Sequence, residues 1–246
     1  YLPLNSASAT PQKVITRPDQ YVDVRSDLSA QFTISDLNFE TDLVIAKSTS
    51  NDEYWIWADS VRGFIGGLRS NDTNNEGSGL AIANVNSNGY QSDSNWFTNS
   101  RTYTTYSFKA GGVPTATNDN TSGAMDANSV SVDGVLQSVY TPSGSPTIYP
   151  KKMSIGTTQG FSIVQYTGNS TANATLPHGL SEAPKFVIIK NLSNTYGWAV
   201  LHTDVGTTGT TLDGSPEYYM LYLNGTAARD NWSQDTIWNP TSTTVK

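Results

Sequence analysis

The sequence contains no cysteine, and only 14% of its 246 residues are charged. The first absence excludes disulfide frameworks, thiolate zinc sites, iron–sulfur clusters and thiol nucleophiles. Positive charge is also scarce. With 14 Lys+Arg against 21 Asp+Glu the net charge is −7, so a basic face for non-specific phosphate contact is lacking and nucleic acid is not an expected partner. No apolar run approaches the roughly 18 residues of a membrane helix, so no membrane partner is expected either. Apolar residues spaced at i, i+3, i+4 and i+7 over a useful length are missing, which argues against amphipathic helices. Tyr1 is preceded by no initiator Met and followed by no signal-type apolar segment, so the chain reads as processed or as a fragment.

What the sequence does contain is Asn, Ser and Thr at about a third of all positions, 20 Gly, and 11% aromatic residues led by 13 Tyr and 6 Trp. That aromatic content separates it from disordered polar tracts. Thr, Val, Ile, Tyr and Trp favour pleated surfaces, whereas Asn, Asp, Gly and Pro favour the turns between them. Short apolar or alternating runs bounded by such turn residues recur along the chain, among them Leu43–Lys47, Tyr54–Ala58, Thr102–Lys109, Gly160–Thr167, Lys185–Lys190, Gly197–His202 and Tyr218–Leu223. The expected class is all-β, built as tandem antiparallel β-sandwiches of the jelly-roll or concanavalin-like kind. Residues 1–110 form the first sandwich, 111–128 a Gly/Thr/Asn connector with almost nothing to bury, and 129–246 the second sandwich. Asp133-Gly134, flanked by Val132 and Val135, predicts a tight two-residue hairpin turn.

The two halves resemble each other. Leu43–Trp55 lies against Phe186–Trp198 without a gap, matching Val, Ile, Lys, Ser, Asn and Trp. Thr33-Ile34 falls against Thr175-Leu176, and Asn71-Asp72-Thr73 echoes Asn224-Gly225-Thr226. The matched Ile45 and Ile188 are expected to face the two cores. The first copy continues to a strong strand at Thr102–Lys109, and the second reaches Lys246 before any equivalent. The sequence therefore predicts a second sandwich that is truncated or whose open edge a neighbouring chain fills.

Catalytic chemistry finds little purchase. A Ser–His–acid site would have to use His178, in a turn, or His202, at a strand end, and no Gly-x-Ser-x-Gly elbow occurs. Glycoside hydrolysis needs paired carboxylates; of the five Glu only Glu40 has a carboxylate two residues on, Asp42, and the series then stops. The protein is not expected to be an enzyme. Asp72, Asn74 and Glu76 mimic the opening of a calcium loop, but Ala83 stands where a closing Glu belongs. They are weak metal candidates, so no cofactor is expected beyond a structural calcium there. For sugar contact the aromatics in polar loops, Trp96, Trp232 and Trp238, are the best stacking platforms; the alternative is that each caps a sandwich core.

Gly160–Asn169, Pro177-His178-Gly179-Leu180 and Ala183–Lys190, followed by Trp198 and by Met220–Thr226, resemble a repeated β-rich, concanavalin- or lectin-like domain of virion proteins from marine and cyanobacterial tailed phages. The resemblance runs from about Leu43 to Lys246 and is strongest from Ser145 onward. The first copy departs from it, with Ser35–Asn38 and Thr41-Asp42 in place of the Pro-His-Gly-Leu and Ala-Pro segments. It implies a non-enzymatic component of the virion surface, tail fibre or capsid decoration, with other virion proteins as partners, homo-oligomeric assembly and host-surface glycan contact. The competing readings are a secreted carbohydrate-binding or adhesin module and, less favoured, a glycosidase.

Overall fold

The computed structural model describes residues 17–205, 207–210, 216–226, 228 and 240–246. The first unit contains β1 (Val22–Ser29), β2 (Thr33–Ile34), β3 (Leu43–Ser48), β4 (Trp55–Asp59), β5 (Leu68–Arg69), β6 (Ile82–Asn86), β7 (Gly89–Ser92) and β8 (Thr102–Phe108). They form a five-stranded sheet in the order β1-β8-β3-β4-β5 and a three-stranded sheet in the order β2-β7-β6. Every neighbouring pair is antiparallel. Val44, Ala46, Ile56, Ala58 and Tyr103 of the larger sheet share one buried cluster with Ile34, Ile82 and Tyr90 of the smaller, closed by Phe32, Phe39 and Phe97. This is a β-sandwich, and the all-β class stands.

β8 shows why the sequence pattern works. Burial alternates strictly along its Thr-Tyr-Thr-Thr-Tyr-Ser-Phe, with Tyr103, Thr105 and Ser107 buried and the residues between them half-buried. The buried Ser107 hydroxyl lies 2.8 Å from the Tyr90 hydroxyl of the facing sheet, so a polar pair is satisfied inside the core. The neighbouring strand corrects the sequence reading. Ile45 and Ile188 are not the inward residues: both are half-buried, and Ile45 pairs with Trp57 on the outer face. The inward positions are Val44 and Ala46 in β3. In an unbroken Leu-Val-Ile-Ala run no alternation marks the faces, and a shift of one residue exchanges them.

The second unit contains β9 (Val130–Val132), β10 (Val135–Leu136), β11 (Pro150–Gly156), β12 (Phe161–Tyr166), β13 (Leu176–Pro177), β14 (Phe186–Ile189), β15 (Ala199–His202), β16 (Thr207–Thr210), β17 (Pro216–Tyr218), β18 (Met220–Tyr222) and β19 (Thr244–Val245). Its sheets run β10-β9-β11-β12, β14-β15-β18, β13-β19 and β16-β17. The β9–β11 pair is parallel, an exception to the antiparallel pattern. Val132 pairs with Val135 across Asp133 and Gly134, whose φ values of 49° and 87° are those of the expected two-residue turn.

The stretch read as a connector is packed rather than loose. Met125 is buried with Val130, Met153 and Ile155, and Asn118, 1% exposed, donates from Nδ2 to the carbonyls of Asn120 and Pro150. The Asn118 Oδ1 accepts the amides of Asn120 and Asp126. Side-chain hydrogen bonds here do the ordering that apolar burial does elsewhere, which composition alone does not reveal.

The duplication is visible in register. Leu43 pairs with Asp59 and Val44 with Ala58; at the matched positions Phe186 pairs with His202 and Val187 with Leu201. The Lys47 ammonium donates to the Glu53 carbonyl at 2.7 Å and the Lys190 ammonium to the Tyr196 carbonyl at 2.8 Å. The Trp55 amide donates to Asn71 Oδ1 and the Trp198 amide to Asn224 Oδ1. Lys, Trp and Asn thus form one clasp, built twice, that closes a hairpin and ties it to the strand following. β2 pairs with β7 as β13 pairs with β19. What has no counterpart among the described residues is β8: β12 has a partner only in β11, and β14 only in β15.

One carboxylate holds the exit from β8. Asp42 is 1% exposed; one oxygen accepts the amides of Ala110 at 2.7 Å and Gly112 at 3.1 Å, and the other accepts the hydroxyls of Ser60 and, at 3.5 Å, Ser154 of β11. Burial raises the Asp42 carboxyl above its ordinary value, and the four donors counteract that only in part.

Two predictions follow from these placements. Leu201, fully buried beside Met220, should cost about 2–5 kcal/mol when changed to Ala, and Ile188→Ala clearly less, as measured by urea denaturation. Asp42→Ala, which strands two backbone donors and a hydroxyl, should cost about 2–4 kcal/mol, whereas Asp42→Asn keeps an acceptor for the amides. Because the folded-state value of Asp42 is raised, its favourable contribution is complete below the unfolded value of about 3.9 and is lost as pH rises through the folded value. Wild type should therefore gain stability relative to Asp42→Asn as the pH of the denaturation series is lowered towards that value.

Candidate functional site

Trp57, Trp96 and Trp198 are gathered around Arg69 where the two units meet. β4 directs Trp55 and Trp57 to the outer face of the large sheet, in register with Lys47 and Ile45 of β3. Trp55 lies 6.3 Å from Tyr106, and Trp57 lies 5.2 Å from Trp198 of the second unit. Trp198 is 3% exposed and its indole N–H donates to the Arg69 carbonyl at 2.8 Å. The Arg69 guanidinium sits 4.2 Å from the ring centroid of Tyr54 and 5.3 Å from that of Trp96, a cation held between two π faces. Phe161, opening β12, contacts Phe108 of β8 at 6.2 Å. The second unit thus packs on the outer face of the large sheet at β4 and at the end of β8.

Trp96 is not an open stacking face. Its indole N–H donates to the carbonyls of Ser78 and Gly79, and it packs against the core of the first sandwich. A Cβ at Gly66 would come within 2.3 Å of its Nε1, so glycine is required for the ring to lie against that backbone. Trp232 and Trp238 lie outside the described residues. Of the large aromatics, Tyr54 and Tyr196 are the exposed ones beside this cluster, at 43% and 60%.

The calcium-loop candidates do not converge on a cation. Asp72 accepts the backbone amide and the side-chain amide of Asn74 and a guanidinium N–H of Arg69. Glu76 accepts from Arg62 at 2.8 Å. Arg62, nearly buried and also paired with Asp59 at 2.6 Å, donates to the carbonyls of Trp57 and Ile65. The oxygens a metal would use already face positive groups, and no set of three metal-type ligands occurs among the described residues. Beside this pair an open groove is lined by Val61, Thr117, Lys151, Lys152 and Tyr166. Lys151 is paired there with Asp119 at 3.0 Å.

The catalytic candidates occupy structural posts. His178 Nδ1 accepts the Leu180 amide, which leaves Nε2 as the donor to the Thr241 carbonyl, both at 3.1 Å. This neutral ring links β13 to the strand end at β19, and burial lowers its pKa. His202 Nδ1 accepts the Asp204 amide, and its ring lies 6.0 Å from that of Phe186. Asp42 is the junction carboxylate, and Glu40 is exposed. The residues that organise this region and that sequence reasoning missed are Asp42, Arg62 and Arg69. Arg62 and Arg69 each carry a faint signal in the Asp59-x-x-Arg62 and Arg69-x-x-Asp72 spacings; Asp42 carries none.

The model of a family described as "Domain of unknown function (DUF7483)" matches residues 20–136 and 142–246, so the chain belongs to that family. The break between the segments falls between β10 and β11. Comparison with curated proteins found no match, and neither did comparison with solved structures. No helix among the described residues is long and apolar enough to cross a membrane.

Because the folded-state value of His178 is lowered, its contribution is present above the unfolded value of about 6.5 and is lost as pH falls through the folded value. Thermal midpoints measured downward from pH 7 should fall for the wild type across that window, and His178→Gln should remove this part of the slope.

Proposed function

We propose that this member of the DUF7483 family is a non-enzymatic structural protein of the phage virion surface, of the tail-fibre or capsid-decorating kind. The observation that carries this reading is the use to which its chemistry-bearing side chains are put. Lys47, Lys190, Asn71 and Asn224 close hairpins. Arg62, Asp59 and Glu76 neutralise one another, and His178 ties a strand end. Groups committed to backbone partners hold a scaffold together; they are not free to move protons or attack a substrate. The virion location rests on the likeness of Gly160–Lys190 to phage virion domains, and the surface, poor in charge, suits a protein displayed in many copies. In this role the sandwiches are spacers and contact modules, repeated because one stable unit with a self-contained core can be duplicated without redesign.

A second reading, a carbohydrate-binding module, is favoured by one feature: Tyr54 and Tyr196, exposed at the two matched clasp loops, offer rings to sugars in both copies.

The test is proteomic analysis of purified phage particles from the genome that encodes the chain, with immunogold labelling of the same particles. The chain should be found in stoichiometric amounts, with gold on fibres or capsid. Absence from the particles, or turnover of a glycan by the purified protein, would overturn the proposal.

A further inference from the structure

We infer that the groove at the seam of the two units binds an acidic saccharide, with Lys152 as the partner of its carboxylate. The groove has a volume of about 480 Å³, a size that suits a short oligosaccharide and that a lone inorganic anion would leave largely empty. One wall belongs to the first unit and consists of Val61, Ile65 and the Arg62–Glu76 pair. The other is formed by β11, β12 and the segment at 117–119. The Glu76 amide donates to the Leu192 carbonyl at 3.0 Å, which ties the first wall to the second unit. The site therefore exists only with the two units docked.

A break in strand regularity builds the second wall. Lys151 and Lys152 are adjacent, and a regular strand would send their side chains to opposite faces. In β11, however, Pro150 pairs with Tyr166 and Lys152 with Gln165, so Lys151 is the extra residue of a β-bulge. Its carbonyl accepts the Asn118 amide at 2.9 Å. Bulges re-aim side chains and are frequent beside active sites; this one brings both lysines to the groove. Gln165, directly opposite Lys152, shares its face of the sheet.

What distinguishes the groove is uncommitted chemistry. Elsewhere polar side chains close hairpins, tie strand ends or neutralise one another. Here, among the described residues, the side chains of Thr117, Lys152, Gln165, Tyr166 and Thr167 make no hydrogen bond and no ion pair within the protein. The two carboxylates of the groove already have cations: Asp119 has Lys151 at 3.0 Å, and Glu76 has Arg62 at 2.8 Å. Arg62 is nearly buried and shared with Asp59, so it has no charge to spare for a ligand. Lys152 is left as the lining cation without a carboxylate. One such ammonium calls for one acidic group, not for a polyanion such as nucleic acid. The hydroxyls of Thr117, Tyr166 and Thr167 and the amide of Gln165 both donate and accept, which matches the hydroxyls of a sugar ring. Val61, Ile65 and the Tyr166 ring offer apolar surface to its C–H face. This inference does not rest on a virion location, and Tyr54 and Tyr196 do not line the groove.

The test is isothermal titration calorimetry of the full chain at low ionic strength with two acidic probes, sialyllactose and trigalacturonate. Lactose and the methyl ester of trigalacturonate are their neutral counterparts. At least one acidic probe should bind saturably, and its neutral counterpart about tenfold more weakly or worse. Lys152→Gln, checked for an unchanged thermal midpoint, should lose affinity by the same factor, and Lys152→Arg should keep most of it. Gln165→Ala, on the same face, should weaken binding several-fold. Amide shifts in NMR spectra should move at Lys151, Lys152 and Gln165–Thr167. The inference is overturned by absence of saturable binding with both acidic probes, by equal affinity for the neutral counterparts, or by undiminished binding to Lys152→Gln. Shifts confined to Tyr54 and Tyr196 would overturn it too, assigning sugar contact to the clasp loops.

Discussion

The structure depends on where β8 lies. Paired along both edges, it completes the five-stranded sheet and supplies Tyr103, Thr105 and Ser107 to the core. Its exit is fixed by the buried Asp42 carboxylate, which gathers the amides of Ala110 and Gly112 with the hydroxyls of Ser60 and Ser154. Taking a carboxylate out of water is costly unless donors surround it. Four donors from separate segments do so here, and the arrangement also fixes the direction in which the chain leaves the first sandwich for β11. Among the described residues the second unit repeats the hairpin and its clasp and shows no counterpart of this strand.

The duplicated clasp explains why these sequence positions match and others do not. Lys47 and Lys190 reach a carbonyl six residues on, and Asn71 and Asn224 accept the amide of a Trp that begins a strand. Each satisfies backbone groups that would otherwise be unpaired at a loop. The Trp side chains then diverge: Trp55 stays on the outer face near Tyr106, while Trp198 is buried against Trp57 and Arg69. One inherited position serves as surface in one copy and as glue between copies in the other.

Much of this was legible in the sequence, and the illegible parts share a cause. Thr102–Lys109 marked a strand but not its faces, since its aromatics Tyr103 and Tyr106 lie on opposite sides; Asp133-Gly134 marked its turn, and the Lys–Trp–Asn echo marked the repeat. Leu43–Ala46 is apolar throughout, so its inward phase was read one residue out. Asp42, Asn118 and Arg69 make hydrogen bonds to partners 32 to 129 residues distant in sequence; no local pattern announces such contacts. Trp96 looked like a loop platform because the glycines that receive it, Gly66 and Gly77, lie 30 and 19 residues earlier in the chain. Asp72 and Glu76 looked like cation ligands because their Arg partners come from outside the loop.

The hold that β8 exerts on the first sandwich through both of its edges can be measured directly by native-state hydrogen exchange on the free chain, resolved by residue with NMR. The account predicts that the β3 amides facing β8 exchange only through global unfolding. Exchange of these amides at rates close to those of solvent-exposed backbone would contradict it.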